Sequence, residues 1–183
     1  MKPNEILLDI ETRKVDTWSG DYGYPFIMPN GEPLRKRWQP FLIGLGLADG
    51  SNTILDETKG GERGLYYKLG VELYGIDIIY YSATRDFDEM VLRGRFTNAR
   101  RAHLPKAGPW PYLKGAHKFK WINLRKLGID LVEMEREGDI PSREVPQAWD
   151  VNIGERPAVL RHLTYDLEQL RITVNKKEKN EHR

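Results

Sequence analysis

The stretch ILLDIET, residues 6–12, is an apolar run that carries two carboxylates, and it predicts a buried β-strand. Because successive strand side chains alternate between faces, Asp9 and Glu11 point to one side and Leu8 and Ile10 to the other. Neighbouring carboxylates repel each other and resist burial, and a divalent cation offsets both costs. The pattern indicates a metal site, although an isolated Asp-x-Glu is more often the solvent face of an ordinary strand.

Length and composition predict one domain spanning residues 1–183, because 183 residues build one sizeable core and are too few for two. No apolar run approaches the roughly 20 residues of a membrane span, which excludes membrane insertion. The N-terminus lacks a signal-peptide pattern, and there are no cysteines for disulfides or zinc. We therefore expect an intracellular, cytoplasmic protein.

Charge is distributed unevenly along the chain. Residues 90–129 contain ten Lys or Arg and no Asp or Glu, so the remainder of a chain of net charge +2 is acidic. Cations interleaved with aromatic rings suit phosphates and unstacked bases, although such a run is often only a solvated face. A nucleic acid is the favoured partner, with heparin-like or acidic protein partners as alternatives. The residues that we assign to nucleic-acid binding here are Arg93, Arg95, Arg100, Arg101, Trp110, Tyr112, Lys114, Lys118 and Lys120.

The order of elements predicts an α/β fold. Residues 13–40 are rich in Gly, Pro and aromatics and predict a loop insertion or ragged hairpin, to which we assign no catalytic role. Residues 41–47 and 53–55 predict strands joined by a turn at Asp49 and Gly50. A helix over 62–74, a strand over 78–81, and a strand over 121–124 that leads into a helix toward Glu137 follow. This order favours a mixed sheet with helices on both faces.

A further acid lies at the junction that follows the strand over 78–81. Asp86 and Glu89 fit an N-cap and its capping-box partner. Helix capping therefore explains those two acids but does not explain Asp88. Ligands of open α/β sheets collect beyond the carboxyl ends of strands, where Asp88 would face Asp9 and Glu11. Simple helix-start chemistry is an equal alternative for Asp88.

The last predicted helix begins near Pro157 and runs to about Asn175, before a charged tail over 176–183. His162 and Asp166 are four residues apart and therefore project from one face of it. Such a pair is more often an ordinary surface pair than a catalytic one. The predicted core stripe of this helix consists of Leu160, Leu163, Leu167 and Leu170.

In chain order the acids are an Asp-x-Glu on the first strand, an aromatic-Asp at a strand-helix junction, and an Asp in the last helix preceded by a titratable residue. This order resembles the DEDD family of 3′-5′ exonucleases over nearly the whole chain. The resemblance implies a ribonuclease-H-like fold: a mixed five-stranded sheet, with three N-terminal antiparallel strands, and helices on both faces. By position it implies metal-site carboxylates at Asp9, Glu11, Asp88 and Asp166, with His162 where the family has Tyr or His.

Two positions depart from the family pattern. The His branch of the family usually places its His five residues before the last Asp and the Tyr branch its Tyr four, and His162 has the Tyr spacing. Tyr165 adjoins Asp166 but points roughly 100° away around the helix, which favours His162. Where the family often has Asn four residues before the second-motif Asp, this chain has Thr84, which we assign to substrate contact.

The resemblance also implies a mechanism. Two divalent cations, Mg²⁺ or Mn²⁺, would lie about 4 Å apart among the carboxylates and flank the scissile phosphate. Substrates would be single-stranded or frayed 3′ ends of DNA or RNA, and products nucleoside 5′-monophosphates. His162 and the four acids are the expected catalytic residues, with His162 accepting a proton from the attacking water or orienting it. We expect any polymerase or repair partner to be a separate chain.

Two other functions fit the same residues. One is a catalytically idle nucleic-acid-binding module of a replication or repair assembly, and the other is a ribonuclease-H-like endonuclease or junction resolvase. Mutually repelling carboxylates are costly without a metal, which favours an enzyme. The order of the acids and the pair of His162 and Asp166 on the last helix favour the exonuclease. No sequence pattern indicates recognition of a ribose 2′-hydroxyl, so DNA and RNA are both open as substrates.

Overall fold

The computed structural model describes residues 1–16, 36–58, 60–84, 87–89, 91–92, 119–151 and 153–181. Five strands form one sheet in the order β3-β2-β1-β4-β5. The β1–β2 and β2–β3 pairs are antiparallel, and the β1–β4 and β4–β5 pairs are parallel. This ribonuclease-H-like arrangement confirms the predicted mixed sheet. The strands are β1 (Glu5–Asp16), β2 (Lys36–Gly46), β3 (Asn52–Asp56), β4 (Ile78–Tyr81) and β5 (Lys120–Asn123).

Three helices of seven residues or more lie within the described ranges: α1 (Gly61–Glu72), α2 (Val145–Val151) and α3 (Arg156–Glu181). Short 3₁₀ turns occupy Arg125–Leu127 and Ile153–Glu155. Residues 87–89 and 91–92, which follow β4, are also helical. In the described ranges, every helix is too short or too polar to cross a membrane.

Strand β1 is the centre of the core because its two faces pack on different helices. Ile6 and Leu8 pack against Leu65 of α1, whereas Leu7 packs against Leu167 of α3. A strand covered on both faces is apolar at nearly every position, which explains the unbroken start of the ILLDIET stretch. Helices on both faces of the sheet are therefore confirmed.

Helix α3 lies directly on the sheet at Gly44 of β2. A Cβ atom at Gly44 would be 2.9 Å from side-chain atoms of both Leu163 and Leu167. In the antiparallel register Gly44 is the partner of Asp9, so α3 crosses the sheet beside the first acid of β1. The predicted leucine stripe is confirmed: Leu163, Leu167 and Leu170 are buried, and Leu160 is partly buried.

The ends of the segment over residues 13–40 form a hairpin, which is one of the two predicted alternatives. Strand β1 continues to Asp16 and β2 begins at Lys36, so both ends of the segment are paired strands of a hairpin, and residues 17–35 lie outside the described residues. Pro40 pairs with Thr12 at a break in the β1–β2 register, where the pairing passes from Leu42 directly to Pro40. Proline is tolerated at such an irregularity, because the regular ladder of hydrogen bonds is already interrupted there.

Two helix predictions are wrong in extent. Residues 129–136 form no helix, because the turn after β5 ends at Gly128, whose φ of +70° is a left-handed conformation that stops a helix. Ile129 and Leu131 instead pack against the cluster that α3 makes with β1 and β4. Helix α3 continues beyond Asn175 to Glu181, so most of the predicted charged tail is helical.

Candidate metal centre

Asp9 and Glu11 lie on the face of β1 that α3 covers. Their antiparallel partners on β2 are Gly44 and Leu42, and both partners adjoin Leu163 of α3. Directly opposed residues of an antiparallel pair share a face of the sheet. The alternation of strand side chains therefore directs both carboxylates toward α3, on the same side, as the sequence predicts.

Helix α3 brings His162 and Asp166, one turn apart, to the same place. The Nε2 atom of His162 is 3.3 Å from Oδ2 of Asp166 and 3.6 Å from Oε1 of Glu11. One ligand atom from each of these three residues lies within 4.8 Å of the other two. His162 is only 3% exposed, whereas Glu11 and Asp166 are partly buried, so the carboxylate side of the cluster is open to solvent.

Asp88 approaches the cluster from the segment after β4. Strand β4 runs parallel to β1, so their carboxyl ends lie at the same edge of the sheet. Asn123, at the end of β5, holds that segment: its Nδ2 donates to the carbonyl of Ala83 at 2.9 Å, and its Oδ1 accepts from the Ala83 N–H at 3.3 Å. Asp88 is 5% exposed, and its Oδ2 is buried without a hydrogen-bond partner.

Burial and mutual repulsion disfavour the ionised forms of the acids in this cluster. Burial, followed by repulsion from Asp166 and Asp88, raises the pKa of Glu11 to about 8. Burial and Asp166 raise the pKa of Asp88 to about 7, and burial, Asp166, Asp88 and Glu11 raise the pKa of Asp9 well above its ordinary value. Without a cation, these acids therefore retain protons at pH values where exposed carboxyls are fully ionised.

These properties fit a hard divalent cation. The unpartnered Oδ2 of Asp88 is a free ligand atom in a buried position, and the carboxylates of Asp9, Glu11 and Asp166 supply further oxygens around it. Mg²⁺ and Mn²⁺ prefer such oxygen ligands. A dication would also reverse the repulsion that raises the pKa values of the acids.

Two residues that the sequence did not indicate complete the cluster. Oδ1 of Asp139 is 2.7 Å from Nδ1 of His162. Nη1 of Arg136 donates to Oδ2 of Asp139 at 3.2 Å, and its Nη2 donates to Oδ1 of Asp166 at 2.6 Å and to Gln169 at 2.5 Å. Burial opposes ionisation of Asp139, but the hydrogen bonds from His162 and Arg136 outweigh burial and leave its pKa lowered. Neither residue belongs to a recognisable motif or spacing in the sequence. Arg136 was predicted to lie in an ordinary helix.

The other predicted binding residues are exposed or lie outside the described ranges. Thr84 is exposed just beyond β4, and Lys120 is exposed at the start of β5. Glu89, the predicted capping partner of Asp86, accepts a hydrogen bond from the hydroxyl of Tyr81 at 2.7 Å, and Asp86 lies outside the described residues. Also outside them are Arg93, Arg95, Arg100, Arg101, Trp110, Tyr112, Lys114 and Lys118.

The fold and the cluster together define a ribonuclease-H-like α/β protein with a buried acidic centre. A similar solved structure is the family B DNA polymerase from the hyperthermophilic archaeon Pyrobaculum calidifontis, with a TM-score of 0.57 and 15% sequence identity. The similarity covers 94% of this chain but only 24% of the polymerase chain. No family model matches the sequence, and no curated protein is similar to it. At this identity the similarity shows a shared fold.

Proposed function

We propose that this protein is a metal-dependent 3′-5′ exonuclease that hydrolyses the phosphodiester bonds of DNA or RNA and releases nucleoside 5′-monophosphates. The observation that carries the proposal is the convergence of Glu11, His162 and Asp166 from two distant elements, with their ligand atoms within 4.8 Å. The resemblance to the DEDD exonucleases and the fold shared with a DNA polymerase support it.

Asp9, Glu11, Asp88 and Asp166 would hold the cations, two of them according to the DEDD resemblance, with Mg²⁺ or Mn²⁺ as the metal. Such cations supply charge neutralisation at the phosphate and lower the pKa of a bound water. The raised pKa values of Glu11 and Asp88 support this assignment, because they indicate a site that is short of positive charge.

His162 is the candidate general base. Its Nδ1 faces Asp139 at 2.7 Å, so its Nε2 is the nitrogen directed toward Glu11 and Asp166. A neutral imidazole can accept a proton at physiological pH. A tyrosine hydroxyl at this position, with a pKa near about 10, would be a poorer base. His162 would therefore take or orient the proton of the attacking water.

The proposal of a nucleic-acid substrate rests on the uneven distribution of charge along the chain. The acid-free stretch over residues 90–129 supports a polyanionic partner, and its interleaved aromatic residues support unstacked bases, as in a single strand or a frayed 3′ end. Lys120 is the one assigned basic residue of this stretch within the described ranges, and it is exposed. A separate polymerase or repair protein is a proposed partner.

A second candidate function is a catalytically idle nucleic-acid-binding module. One observation favours it: Arg136 donates to Asp166 at 2.6 Å and therefore supplies a built-in positive charge to the cluster. A guanidinium in this position partly offsets the carboxylates without any metal. The basic stretch would serve this function equally well.

The experiment is gel-resolved digestion of 5′-labelled single-stranded DNA and RNA with Mg²⁺, Mn²⁺ or EDTA. Asp9→Asn removes one proposed ligand at nearly constant volume, and the matched control is Asp77→Asn, an exposed acid that bonds to Asn4. We expect a metal-dependent ladder that shortens from the 3′ end in the wild type and in Asp77→Asn, and no cleavage in Asp9→Asn.

Other results would choose between the alternatives. Cleavage of a circular single strand would contradict the exonuclease and favour an endonuclease. Salt-sensitive binding without cleavage in either metal would favour the idle module. Wild-type turnover in Asp9→Asn would exclude the proposed metal ligands.

A further inference from the structure

A segment without regular structure lies along one side of α3. Backbone and side-chain groups of residues 132–142 contact a row of helix side chains spaced three or four residues apart. Gln169 donates to the carbonyl of Val132 at 2.8 Å, and the hydroxyl of Tyr165 donates to the carbonyl of Glu137 at 3.0 Å. The row on α3 consists of His162, Asp166, Gln169 and Thr173, and Tyr165 lies beside it.

At the end of this row Asp139 determines the orientation of the His162 ring. Oδ1 of Asp139 and Nδ1 of His162 are 2.7 Å apart, a distance typical of a hydrogen bond to a charged acceptor. An ionised carboxylate can only accept, so the neutral ring must carry its proton on Nδ1. The lone pair is then on Nε2, which faces Glu11, Asp166 and, at 3.3 Å, the hydroxyl of Ser142.

Asp139 is itself held in place by two further donors. Its Oδ1 also accepts the N–H of Ile140 at 2.9 Å, and its Oδ2 accepts Nη1 of Arg136 at 3.2 Å. Arg136 is anchored in turn on Asp166 and Gln169. The carboxylate therefore cannot rotate away from His162 without losing several hydrogen bonds.

From these contacts we infer that Asp139 is a positioning residue, which holds the His162 ring and its Nδ1–H tautomer so that Nε2 can accept a proton from the attacking water. This inference rests on the proposed function. Asp139 touches neither substrate nor reacting atoms and acts through His162. Arg136 acts one step further away, because it holds Asp139 and Asp166 together.

The first test measures the tautomer directly. Ring ¹⁵N chemical shifts of the metal-free protein at alkaline pH, where imidazole is neutral, distinguish Nδ1–H from Nε2–H. We expect Nδ1–H at His162 in the wild type and loss of that preference in Asp139→Ala. The His162→Gln variant lacks this imidazole ring, so the ring ¹⁵N signal that it loses is the signal of His162.

The second test measures kinetics in the proposed nuclease assay. Asp139→Ala should lower kcat about 10- to 100-fold, a part of the roughly 10²- to 10⁴-fold that general acid–base catalysis contributes. KM should change by less than about twofold, because ground-state binding is untouched. Asp139→Ala should have no further effect on kcat in a His162→Gln background.

The matched control is Tyr165→Phe. It removes another hydrogen bond between the same segment and the same helix, but one that does not involve His162. Its kcat should stay near that of the wild type, whereas a merely structural role of Asp139 predicts equal losses in both variants.

Two results would overturn the inference. One is an Nε2–H tautomer in the wild type, or a tautomer that Asp139→Ala leaves unchanged. The other is wild-type kcat in Asp139→Ala, which would leave the exonuclease proposal standing. If no cleavage is found at all, the exonuclease proposal fails, and the tautomer of the metal-free protein still decides whether Asp139 positions His162.

Discussion

The buried acids predict that the metal-free protein loses stability as pH rises. The pKa of Glu11 is about 8 in the folded protein against an ordinary 4.5, because of burial and repulsion from Asp166 and Asp88. Between these values the folded state holds a proton that the unfolded state has released. The contribution of Glu11 to stability is therefore full below about pH 4.5 and is lost as pH rises through about 8. The pKa values of Asp88 and Asp9 are also raised, so their contributions to stability are likewise lost as pH rises.

The magnitude follows from the same pKa values. One pKa unit corresponds to about 1.4 kcal/mol, so the rise of the Glu11 pKa from 4.5 to about 8 means that charging Glu11 costs the metal-free fold on the order of 5 kcal/mol at most. Repulsion within the cluster is shared, so neutralising one member recovers only part of this cost. We expect Glu11→Gln to raise the free energy of unfolding by about 2 kcal/mol at alkaline pH, or Tm by about 4–8 °C for a domain of this size.

The assay is thermal unfolding of the wild type and Glu11→Gln in EDTA across the range from mildly acidic to alkaline pH. The difference between the two proteins reports the titration of Glu11 together with the change that its charge imposes on Asp9, because titrations outside the cluster are common to both. Glu133→Gln, at an exposed position beyond β5, is the matched control and should track the wild type. Mn²⁺ should stabilise the wild type increasingly at alkaline pH and Glu11→Gln much less, because binding competes with protons.

One result would refute this reasoning. If Glu11→Gln changed Tm by the same amount at mildly acidic and alkaline pH, Glu11 would not hold a proton in the metal-free fold. The electrostatic argument for a cation would then fail, whatever the nuclease assay reported.

Two further substitutions test how the fold positions the cluster. Gly44→Ala places a Cβ atom 2.9 Å from Leu163 and Leu167, and we expect this overpacking to cost about 1–3 kcal/mol in urea unfolding. An unchanged unfolding midpoint would mean that α3 does not lie directly on β2. Asn123→Ala leaves the N–H and carbonyl of Ala83 without their partner, and we expect a loss of about 1–3 kcal/mol by the same measurement. A loss below about 0.5 kcal/mol would show that water replaces Asn123.

Much of the fold could be predicted because it is encoded locally. The apolar run at the start of residues 6–12 identifies β1 as a buried strand. The alternation of strand side chains puts Asp9 and Glu11 on one face. The leucines of α3 recur at helical spacing, so their burial against the sheet was predictable as well. Prediction failed over residues 129–136, where Gly128 ends the turn and the chain continues without a helix.

The sequence by itself determined the strand and helix that carry the acids, because side-chain periodicity reports which face of an element is buried. Only the tertiary structure decided that Asp139 meets Nδ1 of His162 and that Arg136 bridges to Asp166. These partners are 23 and 30 residues apart in the chain, and an irregular segment has no period from which its path along α3 could be read. The raised pKa values have the same origin, because burial and repulsion depend on distances that exist only after folding.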